Sequence, residues 1–380
     1  MARFKRGSGL PVRVPVVDMI EVGAGGGSIA RINRMGLIEV GPDSASSKPG
    51  PACYGLGGTD ATVTDADLLL GYLDPGSFLG GDMRLDLKSA TVAVQAHLGT
   101  PLSLAAIEAA HGVFETVNEN MAQAASIHAL EQGKRIVDFA MVAIGGAGPV
   151  HAWALARKLG IRRVICPLGA GVASALGFLA APLSFEFVQA WFARMDAFDG
   201  PSALALVRNL EAKGRELLGG AGVGTAELTT RIACAMRYVG QGHEIEIPVL
   251  LTLLEGGRGD EIAAGFESEY RALYGRTERV PIEMTSWRVA VSGPVPDVVP
   301  RLPVGQIHDG NSAQRGVRQV HFADAAGFVA TPVFDRYSLA PGWQTAGPAV
   351  IEERESTVIV PPGATARIDK HLNLILELHA

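Results

Sequence analysis

Apolar residues recur at three- and four-residue steps across residues 104–132, where Ile107, Ala110, Phe114, Val117, Met121 and Ala124 form one stripe. That spacing predicts a helix with one buried face, and Gly133 suits its C-terminal cap. A strand over 136–144, a glycine turn, a helix over 149–159 and a strand over 163–166 follow. The succession is a βαβ unit, which implies a partly parallel sheet with helical cover. Upstream the pattern is shorter. Residues 12–22 are β-rich, 23–27 form a glycine loop, and 28–32 with 37–40 read as a hairpin. Residues 41–64, with Pro42, Pro49, Gly50 and Pro51, read as a long irregular loop. Such a loop is uncommon in a compact domain unless it has a job or covers a partner.

Beyond residue 185 the character shifts. Residues 202–218 read as an amphipathic helix, 229–238 and 244–251 as strands joined by Gly240-Gln241-Gly242, and 261–274 as a helix. After Pro281 the chain is rich in Val, Pro and Gly, with short strands expected at 317–322, 349–351, 357–360 and 372–376. The pattern divides the chain into an α/β region at 1–185, an α+β segment at 186–300 and a small C-terminal β domain at 301–380. No internal repeat or low-complexity tract interrupts it.

Composition narrows the classes. Of 380 residues, 48% are hydrophobic and 19% charged, and the mean hydropathy is +0.22. That is apolar for a soluble chain, so part of the apolar surface is expected to meet a partner. A formal charge of −6 argues against nucleic acid as that partner. The most apolar stretch, 139–156, is broken by Gly145-Gly146-Ala147-Gly148-Pro149, so no membrane span is expected. The cations of Met1-Ala2-Arg3-Phe4-Lys5-Arg6 have no signal-peptide apolar stretch behind them. Cys53, Cys166 and Cys234 are odd in number and far apart, which suits a reducing cytoplasm.

Two loops carry the candidate chemistry. In Asp18-Met19-Ile20-Glu21-Val22-Gly23-Ala24-Gly25-Gly26-Gly27-Ser28, glycines let backbone N–H groups approach an anion, phosphate being the usual one. Gly25, Gly26, Gly27 and Ser28 are the candidate phosphate contacts, and Asp18 could hold a divalent cation directly or through water. Ile144-Gly145-Gly146-Ala147-Gly148-Pro149-Val150-His151 joins a strand to a helix whose N-terminus offers unpaired N–H groups. Either loop alone reads equally well as a tight turn without a ligand. Together they fit the nucleotide cleft of the actin-like ATPase superfamily, where a hairpin loop meets phosphates and a strand–helix loop meets adenosine. On that reading Gly145, Gly146, Ala147 and Gly148 contact adenosine. Asp60, Asp65 and Asp67 read better as a solvated loop with a capping aspartate than as a metal cluster. Cys53 reads as a structural thiol and His151 as a structural histidine. No catalytic residue is identifiable.

The order of motifs resembles the hydantoinase A/5-oxoprolinase family along almost the whole chain. The segments are Gly23–Ser28, Val40-Gly41-Pro42-Asp43-Ser44-Ala45, Pro49-Gly50-Pro51-Ala52-Cys53-Tyr54-Gly55 and Thr62-Val63-Thr64-Asp65-Ala66 through Leu70-Gly71. Gly145–Pro149 with His151-Ala152, Gly171-Val172-Ala173-Ser174-Ala175-Leu176-Gly177 and Arg237-Tyr238-Val239-Gly240-Gln241 continue it. Gly347-Pro348-Ala349-Val350-Ile351-Glu352 and Val360-Pro361-Pro362-Gly363 resemble the family's C-terminal end. The family includes 5-oxoprolinases, N-methylhydantoinases and the ATP-using subunits of acetone and acetophenone carboxylases. The resemblance implies an actin-like ATPase (RNase H-like) half within an α/β fold, with ATP and magnesium as cofactors. It implies that ATP phosphorylates the carbonyl of a cyclic imide, lactam or ketone. It also implies a hetero-oligomer with a B-type subunit. Full-length members begin with an Asp-x-Gly-Gly-Thr phosphate loop, and none precedes Asp18. Gly57-Gly58-Thr59-Asp60 resembles it but lies in the long loop. A chain carrying that phosphate-loop domain is therefore an expected partner, and the alternative is a non-catalytic assembly subunit. Ser46 stands where glycine is usual, and Ser126 where arginine is common.

Overall fold

The computed structural model describes residues 19–224, 227–296, 313–325 and 327–379. The expected strand at 12–22 lies mostly outside these residues, and 19–22 are not strand. The chain forms two compact units, Met1–Ala175 with Pro300–Ala380, and Leu176–Val299.

The first unit opens with an antiparallel hairpin, β1 (Ser28–Ile32) and β2 (Ile38–Ser44). Helix α1 (Val63–Leu69) follows, then α2 (Leu87–Val94), the short α3 (Thr100–Leu102) and the long α4 (Ala106–Glu131). Thr62 and Asp65 close a capping box at the start of α1, which satisfies donors the first turn leaves free. Helix α4 buries Ala110, Phe114 and Val117 and packs on α1, α5 and β2. Strand β3 is only Met141–Val142, with a 3₁₀ turn at Ile136–Asp138 in place of the longer strand expected there. Phe139, Val142 and Ile144 are exposed while Ala143 is buried and Ile136 and Met141 pack on the core, so only part of the apolar run that predicted the strand faces inward. Helix α5 (Gly148–Leu159) and strand β4 (Arg163–Cys166) complete the βαβ unit, with β3 parallel to β4. Helix α6 (Ala173–Ala180) carries the boundary between the units.

The second unit contains β5 (Ser184–Arg194), α7 (Gly200–Gly220), β6 (Thr229–Tyr238), β7 (Ile245–Pro248), α8 (Leu251–Glu255), α9 (Gly259–Tyr274) and β8 (Ile282–Ser292). Its strands form an antiparallel sheet in the order β5-β8-β6-β7. Val207, Leu218, Phe266, Trp287 and Val289 fill a core of its own.

The chain then returns to the first unit with β9 (Gln314–Phe322), β10 (Gly327–Asp335), β11 (Gln344–Ala346), β12 (Ala349–Glu352), β13 (Thr357–Val360), β14 (Ala364–Ile368) and β15 (Leu374–Leu378). These strands do not form a separate domain. Strand β15 pairs antiparallel with β4, giving a sheet ordered β11-β14-β15-β4-β3. The others form a second sheet, β13-β12-β10-β9. Val164 and Cys166 of β4 are fully buried, and a two-stranded β3–β4 pair could not cover them. Returning strands supply that cover, and one continuous core joins them to α1, α4 and α5.

Candidate functional site

Both glycine loops end at one cavity in the first unit. It encloses about 200 Å³, and Gly26, Gly27, Gly146 and Ala147 line it together with Tyr54, Asp67, Phe78 and the Glu352–Thr357 turn. The two loops come within side-chain reach of each other. A Cβ built on Gly26 would lie 3.6 Å from that of Ala147. Gly25, Ser28, Gly145 and Gly148 do not line the cavity. Ser28 is buried, accepts the Gly25 N–H at 3.0 Å and donates to the Gly23 carbonyl, so its hydroxyl is used inside the loop. Gly145 adopts a left-handed φ of 88° and gives its N–H to the Ala170 carbonyl. Asp18 lies outside the described residues.

The N–H groups of Gly26, Gly27, Gly146 and Ala147 have no hydrogen-bond partner among the described residues. Free backbone donors clustered on a cavity wall are suited to an anion. Packing also asks for some of the glycines. A side chain at Gly26 would meet Thr64 Oγ1 at 2.8 Å, and one at Gly27 would meet Ser44 Oγ at 2.9 Å.

The rest of the wall is rich in carboxylates, and each has a cationic or imidazole partner. Asp74 is 3.4 Å from Arg318, which also pairs with Glu352; Glu353 is 3.4 Å from Arg336 and Glu355 is 3.6 Å from Arg354. Asp67 faces His151, Oδ2 to Nε2, at 3.2 Å. Ion pairing leaves the cavity far less negative than its composition, so it does not repel an anion outright. Burial pushes the Glu353 carboxyl above its ordinary range against the pull of Arg336, and burial likewise lowers the Arg336 guanidinium.

The aspartates of the first segment separate in role. Asp60 is exposed. Asp65 is fully buried and accepts bonds from the N–H groups of Ala52, Cys53 and Thr62 and from the Thr62 hydroxyl. It is a capping residue, though not a solvated one. Asp67 is buried on the cavity wall rather than in a solvated loop. Among the described residues no group of three or more His, Cys, Asp or Glu side chains could hold a metal ion. Burial, with Asp65 nearby, drives the Cys53 thiol far above its ordinary value, which rules against a thiolate nucleophile. Sequence reasoning missed the Glu352–Thr357 turn. Its only signal was a charged break between two apolar runs.

Family comparison gives this geometry its context. Residues 2–187 match the model of hydantoinase/oxoprolinase, and residues 203–379 match that of the hydantoinase/oxoprolinase C-terminal domain. The chain belongs to the hydantoinase/oxoprolinase family. Within it, the chain is 30% identical to the caprolactamase alpha subunit of Pseudomonas jessenii, over 94% of this chain and 52% of that one. It is 32% identical to the acetophenone carboxylase gamma subunit of Aromatoleum aromaticum, over 96% of this chain and 51% of that one. The nucleotide-free structure of an acetone carboxylase, described as ATP-dependent, superposes with a TM-score of 0.76 at 27% identity, covering 94% of this chain and 52% of that one. The chain thus spans about half the length of these relatives. Among the described residues no single helix is long and apolar enough to cross a membrane.

Proposed function

We propose that this chain provides an ATP-binding, actin-like half of a hydantoinase/oxoprolinase-type enzyme acting on a cyclic imide, lactam or ketone. The observation that carries this reading is the meeting of two glycine loops, far apart in sequence, on one cavity, with backbone donors that have no partner among the described residues. Gly26 and Gly27 would take phosphate oxygens, and Gly146 and Ala147 the adenosine side. ATP, when bound, supplies the phosphoryl group that activates the carbonyl. Magnesium is held mostly by phosphates and water, with few protein ligands, so the lack of a three-ligand cluster among the described residues is compatible with it. Asp18 is the proposed ligand.

A cavity of about 200 Å³ is smaller than the ~300–1,000 Å³ typical of ligand pockets. It suits part of a nucleotide, with a facing wall from a segment carrying an Asp-x-Gly-Gly-Thr loop. Exposed Val142 on the edge strand β3 and Ile144 just after it, before Gly145, offer an apolar edge beside the loop for such a segment to cover. Phosphoryl transfer depends on positioning and charge neutralisation around the transferred group, which one wall supplies incompletely. Phosphate release tests the reading. The purified chain alone should show little substrate-dependent hydrolysis with lactams, hydantoins or ketones. Adding the phosphate-loop domain and a B-type subunit should restore it, whereas robust turnover by this chain alone contradicts the half-site. A non-catalytic assembly role is favoured by the packing reasons for Gly26 and Gly27, and failure with every partner would support it.

A further inference from the structure

Among the described residues, Asp67 is the carboxylate on the cavity wall that has no arginine beside it and faces His151 instead. Their side chains are 2% and 4% exposed. Asp67 comes from α1 and His151 from the first turns of α5, immediately after the Gly145–Gly148 loop. The imidazole is fixed by stacking on Phe114, with ring centroids 5.0 Å apart and 22° between planes. The pair is nevertheless incomplete. Asp67 Oδ1 and His151 Nδ1 lack a hydrogen-bond partner among the described residues, and Nε2 approaches Asp67 Oδ2 at 3.2 Å without the alignment of a hydrogen bond. Buried polar atoms are nearly always partnered, and an orphan is costly. An ionised carboxylate can only accept, so what Asp67 lacks is a donor, and Asp67 is a lining residue of the cavity.

We infer that Asp67 is a ligand-contacting residue, accepting a hydrogen bond from a hydroxyl or N–H of the bound molecule, with His151 as its positioning residue. Other carboxylates on the wall are held by guanidinium groups, which offer several donors in fixed geometry. Asp67 has only an imidazole beside it and keeps acceptor capacity in reserve. Asp67 lines the same cavity as Gly26 and Ala147, so the donor belongs to whatever both loops hold. A nucleoside offers ribose hydroxyls and an exocyclic amine, and a lactam offers its ring N–H. Both arms rest on the function proposed above, the nucleoside as part of its cofactor and the lactam as its substrate.

The test uses the full chain labelled with ¹⁵N-histidine, the His151 resonance being assigned by its loss in His151→Asn. Adenosine diphosphate, its 2′,3′-dideoxy form, purine riboside diphosphate and a simple lactam are titrated separately. A donor reaching Asp67 changes the imidazole's partner and moves the His151 ring signals, which a structural pair would not do. A shift with the parent nucleotide that is lost in the dideoxy form assigns the donor to ribose, and loss with purine riboside assigns it to the amine. A shift with lactam alone supports the inference while counting against the nucleotide reading. Asp67→Ala should weaken binding of the active probe by roughly ten- to a hundredfold, as for one hydrogen bond to a charged group. Asp67→Asn, which keeps the shape, should lose less. If no probe moves His151, the inference is overturned. Nucleotide binding sensitive to Gly146→Val but silent at His151 overturns it too, while leaving the nucleotide site standing.

Discussion

A Cβ placed on Gly146 would sit 3.3 Å from the Glu355 carbonyl oxygen, at the mouth shared by the loop and the Glu352–Thr357 turn. Valine there adds two methyl groups to a cavity wall already at contact distance, so Gly146→Val should reduce nucleotide affinity at least tenfold. Strain on folding should stay within about 1–3 kcal/mol, the usual range for overpacking. Calorimetric titration, with a melting curve to confirm folding, checks this; normal binding by the folded variant removes Gly146 from the site. At this scale the glycines were legible because close approach and left-handed backbone leave few other choices, as at Gly145. Ser46, where glycine is usual, also has a positive φ of 57°, so the local backbone keeps the glycine-like conformation without the glycine. Side-chain roles were less legible. Asp65 and Asp67 are two apart on α1 and point to different neighbours. One serves the loop at Ala52 and Cys53, the other His151, and nothing in Thr62-Val63-Thr64-Asp65-Ala66-Asp67 distinguishes them.

Among the elements, those with a single sustained period were read closely: α4, α5, α9, β4, β6 and β13 stand within two residues of the pattern's limits. Strands β5, β8, β10 and β14 escaped. Strand β5 alternates Phe185 and Phe187 with polar residues, but its residues are only half-buried or exposed, a weak signal beside the helix that follows. The β12–β13 turn shows what pairing adds to pattern. Its residue Glu353 is buried against Arg336, donates its N–H to the Ser356 carbonyl and accepts from the Ser356 hydroxyl. Because burial raises the folded-state pKa of Glu353 above the ordinary 4.5, the folded protein holds this proton more tightly than the unfolded chain. The resulting stabilisation is present below pH 4.5 and is lost as pH rises through the folded value. Glu353→Gln carries no titrating group at this position, so its stability relative to the parent should improve as pH rises from 4.5 toward neutrality. Denaturant melts of both proteins across that range measure it. A difference that is flat, or that moves the other way, contradicts a raised Glu353.

For the whole molecule, the class was legible and the assembly of its parts was not. The βαβ unit and the change of character near residue 185 follow from local periodicity, and the boundary between units falls close by, at Ala175 and Leu176. The return of residues 300–380 to the first unit depends on β15 pairing with β4, a contact across two hundred residues that no local pattern encodes. The same long-range closure brings the Glu352–Thr357 turn to the glycine loops. A Cβ on Gly171 would lie 2.5 Å from that of Glu355, so turn and loop are fitted to each other without space for a side chain. The cavity is therefore a product of the closed first unit. Hydrogen–deuterium exchange of the full chain with and without millimolar magnesium–adenosine diphosphate tests the central claim most directly, because it reports where binding occurs. Added nucleotide should slow exchange at residues 23–28 and 145–149 together, the N–H groups of Gly26, Gly27, Gly146 and Ala147, unpartnered among the described residues, being the ones a ligand would occupy. Protection of neither loop, or protection confined to the second unit, would contradict a nucleotide site built from both.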